Sequence, residues 1–160
     1  MYEIQSNYLL IEERNQSCSK RCNRSELKRV YKVKDYKYIG GSYGKCSEYS
    51  MMQEVIKNGP IVVSFEPDYL FMHYKKGIYK SVAHSWVTNG NKKPLWQKVD
   101  HSVVLVGWGY DEEKKIPYWI LQNSWGPHWG ENGYFKMLRG VDHLGIESIC
   151  ESGIPYYIDL

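Results

Sequence analysis

No apolar run in the 160-residue chain approaches the ~18 residues that a membrane-spanning helix needs, which excludes an integral membrane protein of that kind. The longest apolar stretches, such as Val103 to Val106, are strand-sized. No strong charge of one sign is present either: the net charge is +3, which by itself points to no nucleic-acid partner. There is no internal repeat and no low-complexity tract, so a solenoid or a disordered array is excluded. Cysteine is sparse. Cys18, Cys22, Cys46 and Cys150 include one C-x3-C pair but no zinc knuckle and no cysteine–histidine ligand pattern, so no metal site is expected.

What remains is the composition of one ordinary globular domain, with 42% hydrophobic and 24% charged residues. Aromatics reach 15%, which favours a sheet-rich fold with ring-lined surfaces. The charge is uneven. Residues 20–37 carry eight basic and two acidic side chains, a local +6 against −3 elsewhere. No binding motif accompanies them, so they read as a solvated connector rather than a nucleic-acid or membrane patch. Two N-glycosylation triplets, at Asn15 and Asn23, flank Cys18 and Cys22 and lean toward an oxidising compartment. No signal peptide precedes them, so the chain is expected to be part of a longer protein.

Along the chain, residues 36–46 read as a strand entering a glycine-rich turn at Gly40, Gly41 and Gly44. Ser47 is placed to cap a helix carrying Met51, Met52, Val55 and Ile56, which stops at Asn58-Gly59-Pro60. Ile61 to Phe65 is β-branched and strand-like, and Asp68 to Tyr74 suits one or two helical turns. Residues 81–99 are a polar loop. Strands follow at Ser102–Trp108, Pro117–Gln122, Gly133–Leu138 and Gly153–Ile158. This is a β-meander with an N-terminal helix, hence an α+β fold.

His101 and Asn123 stand out as a pair. A hairpin centred at residue 112 sets opposite each other positions whose numbers add to 224, as 101 and 123 do. An asparagine carboxamide oxygen accepts a ring N–H and fixes the imidazole in one tautomer, and a histidine so held is a proton acceptor for a thiol. Trp125, two residues on, would shield that bond. Spacing alone leaves the alternative open that His101 ends a strand and Asn123 opens a turn.

The surrounding motifs are more specific. The segment Asp100-His101-Ser102-Val103-Val104-Leu105-Val106-Gly107-Trp108-Gly109 resembles the histidine segment of papain-family cysteine peptidases. Tyr118 to Gly126 resembles their asparagine segment, and Gly126 to Phe135 continues the likeness. Tyr38 to Cys46, His73 to Tyr79 and Gly145 to Ile149 further resemble the dipeptidyl-peptidase I branch of that family. The resemblance spans roughly residues 36–160.

It implies the β-barrel-like second half of a two-lobed papain-like fold over 36–160, with residues 1–35 as connector and tail of the upstream lobe. His101 is then the catalytic imidazole, Asn123 its orienting partner and Trp125 the cover. Trp129 lies on the leaving-group side, and Ile146 lies near the pocket for the second substrate residue. The implied partners are a peptide or protein substrate and the upstream part of the same peptidase, which supplies the nucleophilic Cys and an exclusion domain. The implied reaction removes dipeptides from free N-termini in a lysosome-like or secretory compartment. No cofactor is required for it, and chloride is a family-implied ligand whose contacts lie mostly upstream. Processing in the 81–99 loop is implied in the same way.

Nothing in the chain resembles the family's nucleophile segment. Cys46 sits at the expected helix N-terminus, where the dipole lowers a thiol pKa, but it matches a non-nucleophilic cysteine of the family. Cys18 and Cys22 match cysteines that bond upstream partners. His128 and His143 match no role and are expected at the surface. The rival readings are a catalytically incomplete papain-like module that binds peptides and, resting only on residues 20–37, a basic nucleic-acid-binding domain.

Overall fold

The computed structural model describes residues 29–81 and 99–159. They divide into two units: Val33–Pro155, and a small one made of residues 29–32 with 156–159. In the small unit the Arg29 guanidinium lies 4.0 Å from the centre of the Tyr157 ring and bonds Asp159 at 2.8 Å. Residues 82–98 of the loop expected at 81–99, the glycosylation triplets, and Cys18 and Cys22 lie outside the described residues.

The elements in chain order are β1 (Arg29–Tyr38), α1 (Glu48–Asn58), β2 (Ile61–Phe65), a 3-10 turn at Phe71–His73, β3 (Ile78–Tyr79), β4 (His101–Asp111), β5 (Ile116–Gln122), β6 (Tyr134–Leu138), a second 3-10 turn at His143–Gly145, and β7 (Ile149–Asp159). One mixed sheet has the order β1-β7-β2-β4-β5-β6-β3. The expected meander is β4-β5-β6, and β3 joins β6 in parallel. The α+β class holds. The sheet is open rather than closed into a barrel, because its first and last strands, β1 and β3, are not neighbours.

Alternation explains the strands. Ile61, Val63 and Phe65 of β2 point inward while Val62 faces out, and β4 repeats the pattern with Val103 and Leu105 buried. Trp119 and Leu121 of β5 and Phe135 and Met137 of β6 complete one core. β1 begins at Arg29, inside the stretch expected to be connector. Its lysines alternate with Tyr31 and Val33 in a period of two. An edge strand paired on one side needs little burial, and lysines there oppose further pairing.

Ser47 caps α1 as expected. The Ser50 N–H donates to the Ser47 hydroxyl at 3.3 Å, and the Ser50 hydroxyl accepts from the Ser47 N–H at 3.0 Å. Gly59 ends the helix with φ +92° and donates to the Val55 carbonyl at 3.0 Å. Met51, fully buried, seats the helix on the core with Met52 and Val55 beside it. Replacing Ser47 with alanine removes the hydroxyl that accepts the Ser50 N–H, while the backbone N–H of residue 47 can still donate to the Ser50 hydroxyl. Urea unfolding should show a loss of about 1 kcal/mol.

Candidate active site

His101 is the first residue of β4 and pairs with Phe65 of β2, whose ring meets the imidazole edge-on at 5.5 Å. Asn123 follows the last residue of β5. The register differs from the expected one. Val104 sits opposite Gln122 and Leu105 opposite Leu121, and a bulge follows before Gly107 meets Ile120. Extrapolated, this puts Asn123 level with Val103. The hairpin turn lies later than residue 112, which shifts the pairing by three positions, and the extra residue of β4 at the bulge takes one of them back.

Asn123 nonetheless reaches His101. Its N–H donates to the Gly133 carbonyl at 2.9 Å, in the register of the β5–β6 pairing, while its side chain meets the imidazole at the start of β4. Asn123 Oδ1 lies 2.9 Å from His101 Nε2 and 2.8 Å from the Ser124 N–H. A backbone N–H only donates, so the carboxamide atom between the two is the oxygen. Nε2 therefore carries the proton, and in the neutral ring Nδ1 is the basic nitrogen. Asn123 is buried, and its Nδ2 has no partner among the described residues.

Trp125 lies over this pair, with its ring centre 4.9 Å from that of His101 and the planes 31° apart. Trp129 meets Trp125 edge-on at 5.0 Å, and its indole N–H donates to the Met72 carbonyl at 3.2 Å. The turn just after Trp129 needs glycine at Gly130, where φ is +59° and a Cβ would stand 2.6 Å from the Tyr134 carbonyl oxygen. So four of the five expected site residues come together: His101, Asn123, Trp125 and Trp129. Ile146 does not join them as an exposed pocket wall. It is fully buried in the core.

One residue family now decides the assignment. The sequence pattern described as papain family cysteine protease matches residues 2–154, nearly the whole chain. The chain belongs to the papain family. A cathepsin B-like cysteine proteinase 3 of Ostertagia ostertagi is 37% identical over 86% of this chain and 71% of its own length. A cathepsin C of Schistosoma mansoni is 45% identical over 82% of the chain, and dipeptidyl aminopeptidase 1 of Plasmodium falciparum is 43% identical over 78%. The papain-family chain spans only 27% and 20% of those two relatives. Among solved structures, procathepsin L2 from Tenebrio molitor superposes with a TM-score of 0.61 at 31% identity, covering 77% of this chain and 34% of that one. Bromelain from Ananas comosus, in complex with the E64 inhibitor, gives 0.57 at 28% identity, covering 74% and 49%.

Other residues shape this papain-family site without having been singled out in the sequence. Phe71 is fully buried behind both tryptophans, 5.6 Å from Trp125 and 5.1 Å from Trp129. The helical-turn signal at 68–74 was legible, but nothing local told which residue faced inward. Glu131 props the adjoining turn by accepting from the Tyr74 hydroxyl at 2.7 Å and the Gly77 N–H at 2.9 Å. Burial opposes its ionisation, yet these bonds and Lys136 hold its carboxyl below the usual range.

His143 corrects an expectation. It is 2% exposed rather than at the surface, and its Nε2 accepts the Ser81 N–H at 3.0 Å. Burial lowers its pKa, with the charge of Lys80 adding to this and Asp68 opposing it. The apolar neighbours Leu144 and Ile146 draw the segment inward, which a lone histidine in a polar stretch does not reveal. The folded chain thus binds fewer protons than the unfolded one just below pH ~6.5, the ordinary histidine value. Stability from this group is full above that pH and falls as pH drops toward the lowered folded value. Urea unfolding at pH 7.5 and 5.5 should show a smaller drop for His143→Gln than for the wild type.

The Glu147 carboxylate lies buried beside Asp142, accepting from Trp119 Nε1 at 3.0 Å and from the N–H groups of Gly140 and Asp142. Burial raises its pKa despite these bonds. Among the described residues no cluster of three metal-ligating side chains exists, and no helix is long and apolar enough to cross a membrane.

Proposed function

We propose that this chain carries the histidine–asparagine half of a peptidase site that removes dipeptides from the free N-termini of proteins. The carrying observation is the Asn123 oxygen shared between His101 Nε2 and the Ser124 N–H. It leaves Nδ1 as the base. The two described cysteines are buried, and burial with the neighbouring Cys46 raises the Cys150 thiol, so neither presents an exposed thiolate. The nucleophile in this reading is a cysteine of an upstream segment of the same peptidase.

His101 Nδ1 takes the thiol proton, and the thiolate attacks the substrate carbonyl. The imidazolium then gives that proton to the leaving amine, and a thioester remains. His101 next deprotonates a water, whose oxygen replaces the sulfur and releases the dipeptide acid. Asn123 holds the ring in the required tautomer throughout, and Trp125 keeps water off their bond. Every step uses only side chains, peptide and water. The names and identities of the cathepsin C and dipeptidyl aminopeptidase 1 relatives support the dipeptide product. The same kinship supports a lysosome-like or secretory location.

The test offers the whole protein a peptide with a free N-terminus and its N-acetylated twin, with products read by mass spectrometry. Release of dipeptides from the free form alone is expected. Internal cleavage of the acetylated form would overturn the dipeptidyl assignment. Absence of any product, together with no adduct from a thiol-directed covalent inhibitor, would overturn the peptidase reading and favour a peptide-binding module.

A further inference from the structure

The mechanism gives Cys46 and Cys150 no task, yet the fold brings them together from opposite ends of the lobe. Cys46 directly precedes the cap of α1, and Cys150 is the second residue of β7. Residues 39 and 40 bridge them. The Ile39 N–H donates to the Cys150 carbonyl at 2.9 Å. Gly40, with φ +88°, packs flat against the other side, where a Cβ would stand 2.1 Å from the Lys45 oxygen and 3.0 Å from the Cys46 nitrogen. The two thiols are neighbours inside one core cluster, at 6% and 1% exposure, and the Cys150 Sγ lies 3.6 Å from the Ile146 carbonyl oxygen. No third ligand completes a metal site with them among the described residues. A neighbouring pair of thiols without a metal has one further chemistry open to it, which is oxidation to a disulfide.

We propose that Cys46 and Cys150 form a disulfide when the chain folds in the presence of a small disulfide oxidant, stapling the start of α1 to β7. The Cys46 thiolate attacks the oxidant's disulfide and expels one thiolate, leaving a mixed disulfide. The Cys150 thiolate then attacks the Cys46 sulfur and expels the second. Two electrons pass to the oxidant, and the two protons from the protein thiols end on its two thiols. The reaction belongs to folding, while both sulfurs are accessible. Once the core closes, burial protects the bond from reductants and, had it not formed, keeps the Cys150 thiol protonated and slow. The staple closes a long loop, and it ties the helix to the strand that flanks β2.

The experiment refolds the full chain with oxidised glutathione, alkylates remaining thiols, and maps unreduced tryptic peptides. Peptides 46–57 and 140–160 should appear joined, two hydrogens lighter than their sum, and separate on reduction. Chain refolded under reductant throughout should unfold roughly 5–10 °C lower than chain refolded with oxidised glutathione, and Cys150→Ser should abolish that difference. Alkylated Cys46 and Cys150 after oxidation would overturn the proposal. So would either one joined to the peptide of Cys18 or Cys22. The wild-type map decides even if the serine variant does not fold.

Discussion

Replacing His101 with alanine in the whole peptidase is expected to lower kcat/KM by at least about 10³-fold, and Asn123→Ala by about 10²-fold. The two losses differ because the residues act in series. In the proposed mechanism His101 moves the proton itself. Asn123 acts through His101, by accepting the Nε2 proton at 2.9 Å and so keeping Nδ1 basic. Without it the ring samples the wrong tautomer and rotates. The loss should fall on kcat rather than KM, since neither group is asked to hold the ground-state substrate. A second readout needs no substrate. Nitrogen NMR of the His101 ring should show proton occupancy at Nε2 in the wild type and a mixture of tautomers in Asn123→Ala. Equal kcat/KM in wild type and His101→Ala would end the assignment of this site.

The second large effect is on stability. Phe71→Ala should cost about 3–5 kcal/mol in urea unfolding, because the ring is fully buried and the surrounding cage cannot collapse onto a methyl group. That cage is built of rings from different elements: Phe65 at 5.1 Å, Phe135 at 4.9 Å, Tyr79 at 5.2 Å, and the two tryptophans. Phe71→Leu keeps most of the volume and should cost under about 1.5 kcal/mol. The substitution should also reach the site. Trp125 rests on Phe71 and covers His101, so losing the support admits water to the His101–Asn123 bond. In the whole enzyme, kcat should fall for Phe71→Ala under conditions where the protein remains folded, and recover in Phe71→Leu. A stability loss below about 1 kcal/mol would show that the cage relaxes freely.

Both expectations show where the chain was legible. β2 and the capped helix α1 were readable because the signal is local. A period of two over Ile61–Phe65, and Ser47 with Ser50 ahead of a glycine stop, depend only on neighbours a few positions away. β1 and the first half of β7 were missed because an edge strand and a strand entering the core have different burial needs, and composition averages over them. The His101–Asn123 pair was located from motifs that mark the papain family, but the register argument offered for it was off by two or three positions. The contact joins two side chains that the β4–β5 register sets two positions apart rather than directly opposite.

The amino-acid order by itself thus determined the helix α1, the strands β2 and β4 to β6, the family and the identity of the two polar residues that meet, since each is written in short-range pattern. Only the tertiary structure decided what surrounds them. It settled that Phe71 backs the tryptophans, that His143 and Ile146 are interior, and that Cys46 meets Cys150 across the core. Those outcomes depend on which surfaces exclude water once distant segments pack, and burial is a property of the closed fold that no stretch of sequence carries alone.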